Sequence, residues 1–209
     1  PITVISGHSQ RLQRQVLSDP ARESVNSIIA EAKRMGCLIT VMLDFARGDA
    51  GRLSLIMGAL DAEAFLLEAF ERLQALAPDR LRLAAPGNAA ALMIHADAER
   101  VQQCLAALVE NALKFSEGTV QLAVTASLEA LSLHVRDQGS GIPEAERAQV
   151  IERFVRGSTA IGTRGSGIGL ATVNLLMEAM HGELRIGDAH GGGADMQLRF
   201  KLSDPPPAP

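Results

Sequence analysis

The chain has no Trp and no Tyr, and only 6 Phe among its 209 residues. Stacking platforms for unpaired bases are therefore lacking. With 20 Lys+Arg against 24 Asp+Glu, a net charge of −4, there is also no broad basic face to follow a phosphate backbone. These absences exclude nucleic acid as a partner. Long apolar runs are missing too: stretches such as Leu175–Met177 and Ala89–Ile94 fall far short of the roughly 18 to 20 residues that span a bilayer, so no membrane contact is expected of this segment. No basic stretch followed by an apolar core and a small-residue cleavage site opens the chain, and no secretory leader is visible. A start at Pro1 rather than Met reads as a start inside a longer protein. Cysteine is scarce: Cys37 and Cys104 each fall in an apolar helical stripe, without a second Cys or a His at ligand spacing. They read as buried thiols in a reducing cytoplasm. The histidines, His8, His95, His134, His181 and His190, are scattered, which argues against a zinc site.

What is present is enough apolar residue, 47% of the chain, to build one or two ordinary cores. From Pro1 to about Leu17 and from Pro20 to about Arg47 the pattern is helical, with Asp19 as cap of the second helix and Pro20 in its first turn. That helix carries Val25, Ile28, Ile29, Ala32, Met35, Leu38, Ile39, Met42, Leu43 and Phe45 at three- and four-residue intervals. Two helices joined at Ser18-Asp19 make an antiparallel hairpin too thin to bury that stripe. The hairpin is expected to dimerise into a four-helix bundle; folding back onto the rest of the chain is the alternative. Residues 48–52 read as a hinge around Gly48 and Gly51.

From 53 to 202 the pattern is mixed. Strands are expected near Leu53–Met57, Arg80–Ala84, Ala91–His95, Thr119–Ala126, Ala130–Arg136, Glu183–Asp188 and Ala194–Leu202. Helices are expected over Asp61–Ala77, from Asp97 onward, after Pro143 in a short piece, and over Gly167–His181 with Gly182 as terminator. Residues 203–209, SDPPPAP, read as a disordered tail. The class is α+β: a helical hairpin, half of a dimeric bundle, followed by an α/β sandwich of a mixed sheet with helices on one face.

Three segments carry chemistry. The helix from Asp97 ends in Glu110-Asn111-Ala112-Leu113-Lys114-Phe115. Asn111 and Lys114, three apart, leave it on one side while Leu108 and Ala112 face inward. An amide oxygen is a hard ligand that suits Mg²⁺, and an ammonium neutralises phosphate oxygens. Glu110, turned by about 100° from Asn111, either reaches the reaction as a base or pairs with Lys114 at i,i+4.

Asp137 follows a strand with Leu131, Leu133 and Val135 on one face and Ser132, His134 and Arg136 on the other, so parity sends it to the apolar side. A carboxylate aimed into a core needs a donor. The exocyclic amine of adenine is one candidate; the turn through Gly139, which Asp137 would cap, supplies the other. Gly139 and Gly141 let the backbone approach a flat base, and Ile142-Pro143 restart the chain.

In the third segment, Gly165-Ser166-Gly167-Ile168-Gly169-Leu170, a glycine loop opens a helix whose free N–H groups face an anion, with Ser166 offering a hydroxyl. Its G-x-G-x-G spacing is not the dinucleotide fingerprint, and the sequence has no G-x-x-x-x-G-K-[ST] loop. Arg156, Gly157, Gly162 and Arg164 just upstream have the composition of a flap that closes over phosphates, or of a plain surface loop.

Together these residues resemble the catalytic region of sensor histidine kinases, whose ATP-binding fold is shared with gyrase-type and heat-shock ATPases. Glu110 to Phe115 resembles the N box, Asp137 to Pro143 the G1 box, Phe154 the F box, and Gly165 to Leu170 the G2 box. The resemblance implies a site for ATP and Mg²⁺ formed by Asn111, Lys114, Phe115, Asp137, Gly139, Gly141, Ile142, Phe154, Arg156, Gly165, Ser166, Gly167, Ile168, Gly169 and Leu170. Asn111 would hold the metal, Lys114 and Arg156 the phosphates, and Asp137 the adenine, with Glu110 acting in phosphoryl transfer. It also implies a homodimer through the hairpin, an upstream sensor region, a response-regulator receiver domain as partner, and a cytoplasmic location, as a free protein or as the cytoplasmic part of a membrane-anchored sensor.

The hairpin resembles the dimerisation and phosphoacceptor domain. That domain's pattern His-Glu-x-x-Thr/Ser-Pro-Leu is met only from the proline onward, at Pro1-Ile2-Thr3-Val4-Ile5-Ser6-Gly7, which places the acceptor histidine five residues before Pro1. His8 is no substitute, since Ser9 follows where an acidic neighbour is expected, and the fragment is expected not to phosphorylate itself. A second departure is Gly193-Ala194, where the family often has Gly-Thr with a hydroxyl that helps hold adenine through water; its loss is bounded at about 1 kcal/mol. The function implied is a two-component kinase passing the γ-phosphoryl to histidine and on to a regulator aspartate. The alternatives are a non-catalytic ATP-binding interaction module and a stand-alone ATPase of the same superfamily.

Overall fold

The computed structural model describes residues 2–15, 18–49, 52–85, 92–160, 163 and 165–202, apart from the side chains of Arg34, Cys37 and Asp49. Several expectations fall outside the described residues: Pro1, Leu17, Ala50 and Gly51 of the hinge, Ala91, Gly162 and Arg164 of the flap, and the tail 203–209. The chain divides into two compact units, Pro1–Leu53 and Ser54–Pro209.

The first unit is a pair of helices, α1 (Ile2–Gln13) and α2 (Asp19–Asp49). Asp19 is itself the first helical residue, and Arg22 N–H donates to the Ser18 carbonyl at 2.9 Å, so Ser18 holds the cap position expected of Asp19. Gln13 Nε2 donates to Asn26 Oδ1 at 2.9 Å between the helices. Val25, Ala32, Val41 and Phe45 are buried, yet Ile28, Met35, Ile39, Met42 and Leu43 of the same stripe stay 47% to 51% exposed. One hairpin has only one neighbour to offer each helix, so its apolar stripe is half covered. His8 is exposed.

The second unit holds a five-stranded sheet in the order β2-β4-β5-β7-β6. Strands β2 (Leu81–Leu83) and β4 (Val120–Ala126) run parallel. The pairs β4 with β5 (Ala130–Arg136), β5 with β7 (Ala194–Lys201) and β7 with β6 (Glu183–Asp188) are antiparallel. Helices α3 (Ala62–Gln74), α4 (Ala98–Phe115) and α5 (Gly169–Ala179) pack on this sheet. In the β5–β7 register Leu131 faces Phe200, Leu133 faces Leu198 and Val135 faces Met196, all buried. Val101, Leu105 and Leu108 of α4 and Val173, Leu176 and Met177 of α5 are buried with them. Each such side chain contributes about 1.5–3 kcal/mol on leaving water.

Strands β1 (Gly58–Asp61) and β3 (Met93–Ala96) form a separate antiparallel pair with Leu60 opposite Ile94. The strand expected over Leu53–Met57 is therefore displaced: those residues are not in a strand, and Ile56 is 84% exposed. Pairing starts at Gly58 opposite Ala96 because the partner strand ends there, at the cap of α4.

Helix boundaries shift at both ends of α5. Gly167 has φ +69°, outside helical space, so the helix begins at Gly169 rather than Gly167. At its other end the left-handed residue is His181, φ +59°, rather than the expected Gly182, and Gly182 N–H closes the turn on the Met177 carbonyl at 2.8 Å. Gly182 is still required, since a Cβ there would meet the Arg199 carbonyl at 2.9 Å. His134, expected on the polar side of β5, is buried there by cross-strand partners. Its Nε2 lies 2.8 Å from Thr125 Oγ1, and its Nδ1 lies 2.9 Å from Asp195 Oδ1. Burial opposes ionisation of Asp195, but the His134 hydrogen bond and charge, with Arg136 and Gln197, outweigh it and hold the carboxyl below its usual range. Cys104 is wholly buried in α4, and burial pushes its thiol up to about 12 against the charge of Arg100. It is a packing residue.

Candidate nucleotide site

Helix α4 is the first wall. Asp97 caps it, accepting from Glu99 N–H at 3.0 Å and Arg100 N–H at 3.2 Å, while its second oxygen accepts from Ile56 N–H at 2.7 Å. Burial of Val101, Cys104, Leu105, Leu108, Val109 and Ala112 fixes the rotation of the helix, leaving Glu110 and Lys114 exposed and Asn111 half-buried. Among the described residues no ion pair joins Glu110 to Lys114. The Lys114 ammonium sits 4.6 Å from the centre of the Phe115 ring.

The glycine loop is the second wall. A Cβ on Gly165 would lie 2.6 Å from Lys114 Nζ, and one on Gly169 would lie 4.0 Å from Asn111 Nδ2. The loop therefore meets α4 at the two side chains that the helix turns outward. Gly167 makes the bend between them: its carbonyl accepts from Phe154 N–H at 2.9 Å, and a Cβ there would lie 2.8 Å from both Phe154 C and Val155 O. Phe154 is 63% exposed and takes φ +65°, a conformation uncommon for a bulky residue. Arg156 does not reach toward Lys114 or Gly165; its guanidinium donates to the carbonyls of Ala160 and Thr163 in its own loop. Glu146 secures the start of that loop by accepting from Ser158 N–H at 2.8 Å and Ser158 Oγ at 2.6 Å, which lowers its pKa below the ordinary carboxylate value.

Between the walls lies the turn after β5. Asp137 is 7% exposed. Its N–H donates to the Ala194 carbonyl at 3.0 Å, and its Oδ1 accepts from Gly139 N–H at 2.7 Å and from Ala194 N–H at 3.3 Å. The turn-capping role weighed for Asp137 is thus real, and it occupies one carboxylate oxygen. Gly141, φ +67°, would set a Cβ 3.1 Å from the Gly193 carbonyl, so two glycine backbones meet beside the acid. Arg147 ties this region together, donating from Nε to the Ile142 carbonyl at 3.1 Å and from Nη2 to Asp188 Oδ1 at 2.5 Å.

Comparison with known proteins matches this arrangement. Residues 96–204 match the model of the histidine kinase-, DNA gyrase B- and HSP90-like ATPases, and residues 1–51 match the His Kinase A (phospho-acceptor) domain. The chain belongs to the sensor histidine kinases. It is 28% identical to sensor histidine kinase YkoH of Bacillus subtilis (strain 168), over 96% of this chain and 44% of that protein. It is 31% identical to sensor protein DivL of Caulobacter vibrioides, over all of this chain and 27% of that one. Among solved structures, full-length ShkA in complex with AMPPNP aligns with a TM-score of 0.77 at 28% identity, over 100% of this chain and 44% of that chain. The chain thus spans less than half the length of these relatives.

ATP binding is implied by this fold, and the residues fit a magnesium nucleotide. Among the described residues no group of three His, Cys, Asp or Glu converges as a metal cage. An amide oxygen such as that of Asn111, were it to ligate, would suit a cation that keeps its waters and shares phosphate oxygens. At Gly165 and Gly167 the loop passes so close to Lys114 and to Phe154 and Val155 that a Cβ would collide with them. No described helix is long and apolar enough to cross a membrane.

The sequence gives no sign of Ser116, whose hydroxyl accepts from Gly118 N–H at 3.1 Å and Gln138 N–H at 3.4 Å, joining the end of α4 to the turn after Asp137. The same holds for Glu146 and Arg147. Nothing in their spacing marks them, because their partners lie 12 and 41 residues away. Gly191-Gly192-Gly193, all at positive φ, was a visible signal for a tight approach behind Asp137.

Proposed function

We propose that this segment binds Mg-ATP between α4 and the glycine loop and delivers the γ-phosphoryl to a histidine upstream of Pro1, for onward transfer to a response-regulator receiver aspartate. The observation that carries it is Asp137. One of its oxygens is fixed by two backbone N–H groups, so the other is held in place to accept from the exocyclic amine of adenine. Among the described residues no hydrogen bond engages the second oxygen, and a buried carboxylate oxygen calls for a donor.

The remaining roles follow from position. Asn111 offers an amide oxygen to magnesium. Lys114, held beside Gly165, faces phosphate. The free N–H groups that open α5 meet negative charge at a helix start. Glu110, exposed next to Asn111 on α4, would take the proton from the acceptor imidazole. Arg156 joins the phosphates only after leaving the Ala160 and Thr163 carbonyls. Bound magnesium would neutralise phosphate charge as it develops, and the protein's share is positioning and electrostatics. The half-exposed stripe of α2 supports a homodimer through the hairpin.

The test is incubation with γ-labelled ATP of two proteins, this fragment and one extended upstream through the acceptor histidine. Acid-labile, base-stable label on the extended protein alone is expected. Stoichiometric label on the fragment itself, or binding without label on the extended protein, contradicts the transfer reading. The second outcome would point to a nucleotide-dependent interaction module.

A further inference from the structure

Helix α4 ends without the device that most often closes a helix. No residue just past Phe115 takes a left-handed conformation: Ser116 is extended, at φ −130° and ψ 144°, and Gly118 is not among the positive-φ residues. The last carbonyls need other donors. Arg80, on the turn between α3 and β2, supplies them. Its Nε donates to the Gly118 carbonyl at 3.0 Å, Nη1 to the Leu113 carbonyl at 3.3 Å, and Nη2 to the Ser116 carbonyl. A planar fork with five N–H donors suits three carbonyls in one turn, and a cation at a helix C-terminus meets the negative end of its dipole.

The carbonyls that Arg80 holds bracket Lys114 and Phe115. The other side of the same turn backs onto the turn after Asp137. Ser116 Oγ accepts from Gln138 N–H, Gln138 Oε1 accepts from Thr119 N–H at 3.3 Å, and a Cβ on Gly139 would collide with the Phe115 carbonyl. The segment 113–119 is thus clamped between a guanidinium and the turn that carries Asp137. We infer that Arg80 is a positioning residue of the nucleotide site: it touches no ligand, but by gripping the end of α4 it sets the spacing between Lys114 and the Asp137–Gly139 turn. The assignment rests on the nucleotide reading above and adds to it a residue from outside the four boxes.

The test compares Arg80→Ala and Arg80→Lys with the unaltered 209-residue chain by calorimetric titration with ADP and Mg²⁺, alongside thermal unfolding. A control, Asp61→Ala, removes the cap of α3, where Asp61 Oδ1 accepts from Ala64 N–H at 2.9 Å, and lowers stability away from the site. Arg80→Ala is expected to weaken ADP binding about tenfold or more, as loss of an orienting partner behind a ligand group does. Arg80→Lys, with the charge but not the fork, should recover part of that loss, and Asp61→Ala should lower Tm with unchanged affinity. Wild-type affinity in Arg80→Ala, or an equal loss in Asp61→Ala, overturns the positioning role alone. Absence of binding by the unaltered chain overturns the nucleotide reading and this assignment with it.

Discussion

Asp137 can serve two roles at once, one for each carboxylate oxygen. Oδ1 caps the turn through Gly139 and also accepts from Ala194 N–H, while the proposed partner of Oδ2 is the adenine amine. The two roles separate in Asp137→Asn. The amide oxygen of Asn keeps both backbone hydrogen bonds, so thermal stability should hold, whereas its NH₂ opposes a base amine donor to donor. Adenine nucleotide affinity should fall about tenfold to a hundredfold, the worth of a hydrogen bond to a charged group. Unchanged ADP affinity on titration would remove the base-reading role. Parity along β5 was enough to find this acid in the sequence, because alternation is a local rule. Burial of His134 on the opposite face was not legible. It depends on Thr125 and Asp195, brought in by the register of β4 and β7, and register is not a property of one strand.

At the scale of elements, α4 and α5 present opposite cases. The stripe from Val101 to Ala112 and a start at Asp97 were readable; the helix begins one residue later, at Ala98, with Asp97 as its cap. The start of α5 was misread by two residues because a glycine run tolerates helix and loop alike. Gly167 settles it: φ +69° and the approach to Phe154 and Val155 leave no space for a side chain. Gly167→Ala should therefore destabilise the second unit by about 1–3 kcal/mol, the usual cost of a strained backbone residue. It should also loosen the loop from Phe154. Thermal unfolding and amide exchange at Phe154 check this, and a variant with wild-type Tm and unchanged protection would show that the bend is not needed. The strand expected over Leu53–Met57 failed for a related reason. Its apolar composition is that of a strand, but β3, which pairs with the neighbouring β1, stops at Ala96.

For the molecule as a whole, the class of fold was legible because each element carries its own period: helical in the first unit, mixed in the second. The half-covered stripe of α2 also follows from the sequence, since no second helix pair lies within the hairpin. What sequence alone does not carry is convergence, and here the glycine loop meets Asn111 and Lys114 at Gly169 and Gly165, and the turn after Asp137 meets Phe115 at Gly139, because α4 and α5 pack on one another and on the sheet that holds β5. The measurement that tests this most directly is paired calorimetry of the chain with ATP and with inosine triphosphate, both with Mg²⁺. The two share every phosphate contact, and inosine has a carbonyl in place of the amine that Asp137 is proposed to hold. Binding of ATP with inosine triphosphate weaker by about tenfold or more is the result predicted. Equal affinity for the two, or no heat with either, would contradict the account.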